Sequence, residues 1–172
     1  MSITVATGDE LPSVGLRASD GYLLNLRSFV TKQPALLLFF GAPTLKGAAA
    51  EPGLAAIRAL SAAHGRLHEA GIGVAAISTD SEKEQVEFAA QLNLPYLLLS
   101  DERRSAVELL GIPTATQGDN VNVARPVAIV VDREGIVRAV IDDVEPHYFI
   151  EHAMSVLSEP MPATAGDAAA AS

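Results

Sequence analysis

The sequence predicts an α/β domain: a central mixed β-sheet, helices on both of its faces, and a β-hairpin at the N-terminal end. Three observations carry this reading. Continuous apolar runs at 35–40, 72–78 and 126–131 have the character of strands buried on both faces. Between the first two, Leu54, Ile57, Leu60 and Leu67 recur at roughly helical spacing. Turn signals flanked by strand-like runs, Asp20-Gly21 early and residues 132–135 late, add antiparallel pairs.

Each element then follows in order. Residues 1–10 read as a loose lead-in, and 14–18 with 22–26 as the two arms of the hairpin. Residues 28–32 form a short helical turn that ends before Pro34. The first central strand, 35–40, runs into a loop at 41–47 rich in Gly and Pro. The helix after it ends near Gly71, a residue suited to a left-handed cap. The strand at 72–78 leads to Thr79, Asp80 and Ser81, all N-cap types, ahead of a helix at 82–92. Val86, Ala89, Ala90 and Leu92 are expected on its inner face. A short strand at 95–99 and a helix at 101–110 follow, the latter stopped by Gly111 and Pro113. Residues 114–122 read as a polar loop, 126–131 and 136–141 as a hairpin, and 145–157 as a closing helix. Alternating strands and helices at the front imply parallel pairing, and the late hairpin implies an antiparallel pair. The domain spans 1–158. Residues 159–172, mostly Ala, Pro, Gly and Ser, bury too little to offset their ordering entropy and are expected to be a disordered tail.

Composition removes several function classes. The 172 residues carry a formal charge of −9, with no basic run to offset it. Such a surface repels phosphate backbones and anionic lipid, so neither nucleic acid nor membrane is an expected partner. No apolar run is long enough to span a bilayer, and the N-terminus lacks a signal-peptide layout, so the expected location is cytoplasmic. There is no cysteine. Disulfides, a thiolate nucleophile and sulfur-ligated metal are all excluded.

The order of elements and the residues at their joints resemble the peroxiredoxins, the alkyl-hydroperoxide-reductase and thiol-specific-antioxidant group of redoxins, over about residues 8–157. The carriers are the hairpin around Asp20-Gly21, then Leu37, Leu38, Phe39 and Phe40 before a loop and Glu51. Ile77 to Ser81 with Leu97 to Asp101, and Ala124 to Gly135, complete the set. The resemblance implies a thioredoxin-like fold and a family activity of thiol-dependent peroxide reduction. It also implies pairing into a homodimer through loops near the site.

At the positions that carry that activity the sequence departs from the family. Counting from Phe40 to Glu51 sets the peroxidatic cysteine at Ala48, the family's threonine at Leu45 and its proline at Gly41. An Ala methyl has no lone pair and cannot attack a peroxide. Thr44 supplies a hydroxyl only if the loop shifts by one residue. Pro52 favours a helix start with Glu51 near the N-cap and Pro52 at the first helical position, which turns the helix end away from Ala48. The family's thiolate-stabilising Arg falls on Pro126, one residue from Arg125. Related redoxins carry a Pro there, often after a cis bond, so Arg125-Pro126 suits either pattern.

Thr44, Lys46, Arg125 and Pro126 are therefore the candidate ligand-binding residues, set where open α/β sheets collect ligands. Each has a plain alternative: a solvated loop for Thr44 and Lys46, and an ordinary ion pair for Arg125. His64 and His68 have zinc-compatible spacing but lack an evident third ligand. Asp143 and Glu145, in an acidic and histidine-bearing stretch with Asp142, His147 and His152, read better as the capped start of the last helix. No metal and no cofactor is expected. Three functional readings stay open. One is a binding module for a small molecule or a protein. Another is an enzyme using non-cysteine chemistry around Arg125. The third is a thiol peroxidase whose cysteine has been replaced in this chain.

Overall fold

The computed structural model describes residues 5–40, 51–112, 114–117, 120–124, 126–142 and 144–158. Among them the strands are β1 (Gly15–Ala18), β2 (Leu23–Asn25), β3 (Ala35–Phe39), β4 (Gly73–Ser78), β5 (Leu97–Ser100), β6 (Thr114–Gln117), β7 (Asn120–Ala124), β8 (Val127–Val131) and β9 (Val137–Ile141). The helices are α1 (Leu26–Lys32), α2 (Glu51–Glu69), α3 (Glu82–Leu92), α4 (Ser105–Leu110) and α5 (Pro146–Ser158). A seven-stranded mixed sheet has the order β2-β1-β5-β4-β3-β8-β9, and β6 and β7 form a separate pair. The neighbours of β3 are β4, parallel, on one side and β8, antiparallel, on the other.

Strand β3 is apolar throughout because each of its faces meets a core. Leu36, Leu38 and Phe40 belong to one cluster, with Ile57, Leu60 and Leu67 of α2 and Phe149 and Ile150 of α5. Ala35, Leu37 and Phe39 belong to the other, with Val30 of α1, Val107 and Leu110 of α4, and Leu16 of β1. Fully burying one such side chain is worth about 1.5–3 kcal/mol.

Local chemistry sets the boundaries. Gly21 takes a φ of 91°, its N–H donates to the Ala18 carbonyl at 2.9 Å, and the Asp20 carboxylate accepts from the Tyr22 N–H at 3.1 Å. Ser81 closes a capping box: its hydroxyl accepts from the Glu84 N–H at 3.2 Å, and Glu84 reaches back to the Ser81 N–H. Gly71 ends α2 with a φ of 77°. Glu145 starts α5, its carboxylate accepting from the Tyr148 N–H at 2.9 Å, with Pro146 as the first helical residue. Asp143 and the tail at 159–172 lie outside the described residues.

Four expectations are corrected. The lead-in is pinned rather than loose from Val5 onward: the Val5 N–H donates to the Leu110 carbonyl at 3.0 Å and the Leu11 N–H to the Gly135 carbonyl at 2.7 Å. Val5 and Leu11 are buried. The loop expected at 114–122 is largely the β6–β7 hairpin, with Thr114 opposite Ala124 and Ala115 opposite Val123. Its Thr, Gln and Asn content hid an extended segment that lies outside the main sheet. Helix α4 begins at Ser105, not Asp101, because Arg104 sits in the left-handed region with a φ of 60° and interrupts the turn. The inner face of α3 is Gln85 and Phe88, with Ala89 and Leu92 packed partly behind them, while Val86 and Ala90 are exposed. A rotation of about 100° per residue means that the choice of Gln85 as an inward position turns Val86 out.

Replacing Leu38 with Ala is expected to cost ~2–5 kcal/mol, because the strand cannot close over the lost methyl groups from either side. Ser81→Ala removes one cap bond and is expected to cost ~1 kcal/mol. Denaturant unfolding of both variants measures this. A smaller loss for Leu38→Ala than for Ser81→Ala would contradict the account of β3.

Candidate functional site

Strands β3, β4 and β5 run parallel, so their carboxyl ends share one edge of the sheet. Strand β8 runs the other way and begins at that edge, with Val127 opposite Phe39. Pro126, half-buried and just ahead of Val127, therefore stands beside the exit of β3. Open α/β sheets bind ligands at such an edge. Thr44, Leu45, Lys46 and Ala48 follow β3, and Arg125 precedes Pro126, but all five lie outside the described residues.

What the described residues build there is a buried polar layer. Ser78 ends β4 and Ser100 ends β5, and both are buried, as are Asp80, Gln85 and Asp101. The Gln85 amide nitrogen donates to the Ser78 hydroxyl at 2.9 Å and to the Leu99 carbonyl at 2.7 Å, tying α3 to both strand ends. The Ser100 hydroxyl donates to the Asp80 carbonyl at 2.7 Å, and the Asp101 N–H donates to the Ser78 carbonyl at 2.8 Å. Below this layer Phe40 stacks on Phe88, with ring centroids 6.0 Å apart.

Asp101 is the hinge of the layer. Its carboxylate accepts from the backbone N–H groups of Ala106 at 3.1 Å and Val107 at 2.8 Å, and so holds the first turn of α4 against the ends of β4 and β5. Burial pushes its pKa above the ordinary aspartate value and outweighs these bonds, which favour the ionised form; Glu108 pushes in the same direction as burial.

The sequence places Ser78 and Asp101 at strand and helix ends, but nothing local in it joins them to Gln85 and Ser100 in one network. The available signal was a polar residue closing each apolar run, at Ser78 and at Ser100-Asp101. Gln85 gave none, since a glutamine on a helix reads as solvated.

The histidines have other surroundings. His64 and His68 stack with centroids 6.2 Å apart, and His64 also lies 6.2 Å from the ring of Tyr96. Tyr96 is buried, donates to the Ile57 carbonyl at 2.7 Å, and is held protonated by that burial. His152 neighbours Tyr148. Among the described residues no three His, Asp or Glu side chains are grouped as metal ligands would be. None of the described helices is long and apolar enough to cross a membrane.

Known proteins share this design. The model of the AhpC/TSA family matches residues 7–140. A chloroplastic peroxiredoxin Q of Populus jackii is 27% identical over 154 residues, covering 89% of this chain and 68% of its own length. Its counterpart in Suaeda salsa is 28% identical over 156 residues, with the same coverage of 89% and 68%. Among solved structures, peroxidoxin BcpB from Mycobacterium tuberculosis has a TM-score of 0.75 at 22% identity and covers 91% of this chain and 98% of its own. A cysteine-to-serine mutant of PrxQ from Xylella fastidiosa has a TM-score of 0.72 at 17% identity, covering 87% and 93%. These structural likenesses establish the thioredoxin-like fold expected from the sequence.

The Asp101 assignment makes a pH prediction. A carboxyl group whose folded pKa is raised stabilises the fold below its unfolded pKa, and that contribution is lost as pH rises through the folded value. Relative to Asp101→Asn, the unmodified chain is therefore expected to lose stability as pH rises from ~4 toward neutrality. Urea unfolding of both chains across this window measures the difference. A relative gain with rising pH would mean that the N–H bonds to α4, not burial, dominate.

Proposed function

Because this chain belongs to the AhpC/TSA family and carries no cysteine, we propose that it is not a thiol peroxidase and that it works by binding a small molecule or a protein partner. The absence of any thiol carries the proposal. Reduction of a peroxide by a thiol enzyme needs a thiolate, which attacks one peroxide oxygen while the other leaves. Ala48, at the family's cysteine position, offers a methyl group, and Leu45 replaces the hydroxyl that would orient the peroxide.

The ligand site in this reading is the carboxyl edge of the sheet, with Thr44, Lys46, Arg125 and Pro126 as its contacts. The support is topological: β3 leaves the sheet, and β8 enters it, at the same edge. Lys46 and Arg125 bring positive charge to an otherwise acidic chain, which suits a small anion such as a carboxylate or sulfate. The reading includes a cytoplasmic location and, on the strength of the family resemblance, a homodimer paired through loops at this edge.

Two measurements test it. With dithiothreitol or thioredoxin as reductant, the chain is expected to consume hydrogen peroxide no faster than the reductant alone. In Ala48→Cys, the new thiol is expected to titrate at or above the free value of ~8.5 and to react slowly, since Pro52 turns the helix end away from it. A fast, low-pKa thiol would mean that the site retains its peroxidase geometry and lost only its sulfur. For the ligand, sulfate titration followed by NMR is expected to shift amides flanking Pro126, and Arg125→Ala to abolish those shifts. Unchanged shifts in that variant would leave Arg125 a structural residue.

A further inference from the structure

Helix α2 connects two parallel strands, β3 and β4, so it runs back across the sheet and its last turns lie at the end away from the carboxyl edge. There His64 and His68, one helical turn apart, stack with ring centroids 6.2 Å apart and planes inclined by 22°. His64 is half-buried, 6.2 Å from the ring of Tyr96, whose hydroxyl is fixed to the Ile57 carbonyl; His68 is exposed. No hydrogen bond or ion pair among the described residues engages either imidazole. Arg66, on the far side of the helix from the pair, is held by Glu151 at 2.8 Å. Beside the pair, a Cβ on Gly65 would meet nothing within 4 Å, so the space next to the rings is open.

We propose that His64 and His68 together chelate a divalent transition-metal ion of the kind that imidazole binds, Cu²⁺, Ni²⁺ or Zn²⁺. Residues four apart on a helix share one face, and each ring nitrogen holds such an ion at about 2.0–2.1 Å. Two bonds of that length, added to the radii of the two rings, span the observed separation. Tyr96 sets the His64 ring in place before the ion arrives, which lowers the entropy cost of binding. Two further features favour a cation here. His68 lies in the last turn of a 19-residue helix, at the negative end of its dipole, and the whole chain carries a net charge of −9. Tyr96 is not itself a ligand, because burial keeps its phenol protonated. No third His, Asp or Glu joins the pair among the described residues. Two protein ligands are fewer than the three or four of resident zinc sites, so waters complete the shell and the ion is exchangeable. The site lies apart from the Arg125 edge and holds whether or not that edge takes a ligand.

The test is a titration of the full chain with Ni²⁺ in a non-chelating buffer, followed by amide NMR and by calorimetry. Saturable line broadening is expected around His64 and His68 before any other part of the chain. Cu²⁺ is expected to bind more tightly than Ni²⁺, and Mg²⁺, which takes oxygen ligands, to leave the spectrum unchanged. His68→Ala is expected to weaken Ni²⁺ about tenfold or more, since the remaining imidazole loses the chelate partner held beside it. That position is exposed, so the metal-free variant is expected to unfold at the parent temperature. His64→Ala is expected to weaken Ni²⁺ equally; it also removes a contact with Tyr96, so His68→Ala is the decisive variant. His152→Ala, on α5, is expected to leave the affinity unchanged. Ni²⁺ is expected to raise the melting temperature of the parent and not of His68→Ala, because the unfolded chain does not hold the two rings one turn apart. Four outcomes overturn the proposal: no saturable broadening, broadening centred elsewhere, unchanged affinity in His68→Ala, or an equal loss in His152→Ala. Mg²⁺ binding as tightly as Ni²⁺ would overturn it too, by showing a carboxylate site.

Discussion

Strand β3 is hydrogen-bonded along both edges and buried on both faces, and the rest of the molecule is arranged around that constraint. Its neighbours β4 and β8 occupy the two edges, so neither edge of the strand is left open. Alternate side chains feed two separate cores, one under α2 and α5 and one under α1 and α4. A polar residue inside β3 would lose its hydration in either direction, which explains why its five residues are apolar. The same constraint sets the geometry of the carboxyl edge: with β4 parallel and β8 antiparallel, the exit of β3 and the entry of β8 meet at one end of the sheet.

At that end the chain keeps the scaffold of a redox family and lacks the atom on which the family's chemistry depends. The scaffold is well made. Asp101 ties α4 to the strand ends, and Gln85 ties α3 to the same place. Buried polar groups of this kind favour one arrangement of the backbone, since any shift leaves a donor or acceptor unpaired. Preorganisation serves binding as well as catalysis, because a rigid edge loses less entropy when a ligand arrives. A binding role is thus consistent with the order retained beneath the site.

Most of the fold was legible in the sequence because its signals are local or periodic. The Asp20-Gly21 turn, the capping box at Ser81 and the unbroken apolar runs each follow from the chemistry of a few neighbouring residues. The failures have a common cause. Asn120 to Ala124 alternates polar and apolar residues over only a few positions, and its mate Thr114 to Gln117 offers Ala115 as its one apolar residue, so the β6–β7 hairpin gave only a weak periodic signal. Val5 and Leu11 are isolated apolar residues whose partners, Leu110 and Gly135, lie more than a hundred residues away. On α3, composition favoured Val86 as the inward residue, but the unpaired polar groups at the ends of β4 and β5 required an amide, and Gln85 took the place.

The chemistry that is missing could be read from the sequence alone: a chain without cysteine has no thiolate in any conformation. The family resemblance, the order of strands and helices, and the identity of β3 were legible there too, because they rest on residue type and short-range pattern. Only the tertiary structure decided which polar residues act together. Ser78, Gln85, Ser100 and Asp101 come from two strands, a helix and a turn, and they meet only because β4 and β5 pair in register with Ser78 opposite Ser100. Likewise, the tertiary structure turned Val86 outward, because Gln85 and Phe88 take the inward positions of α3.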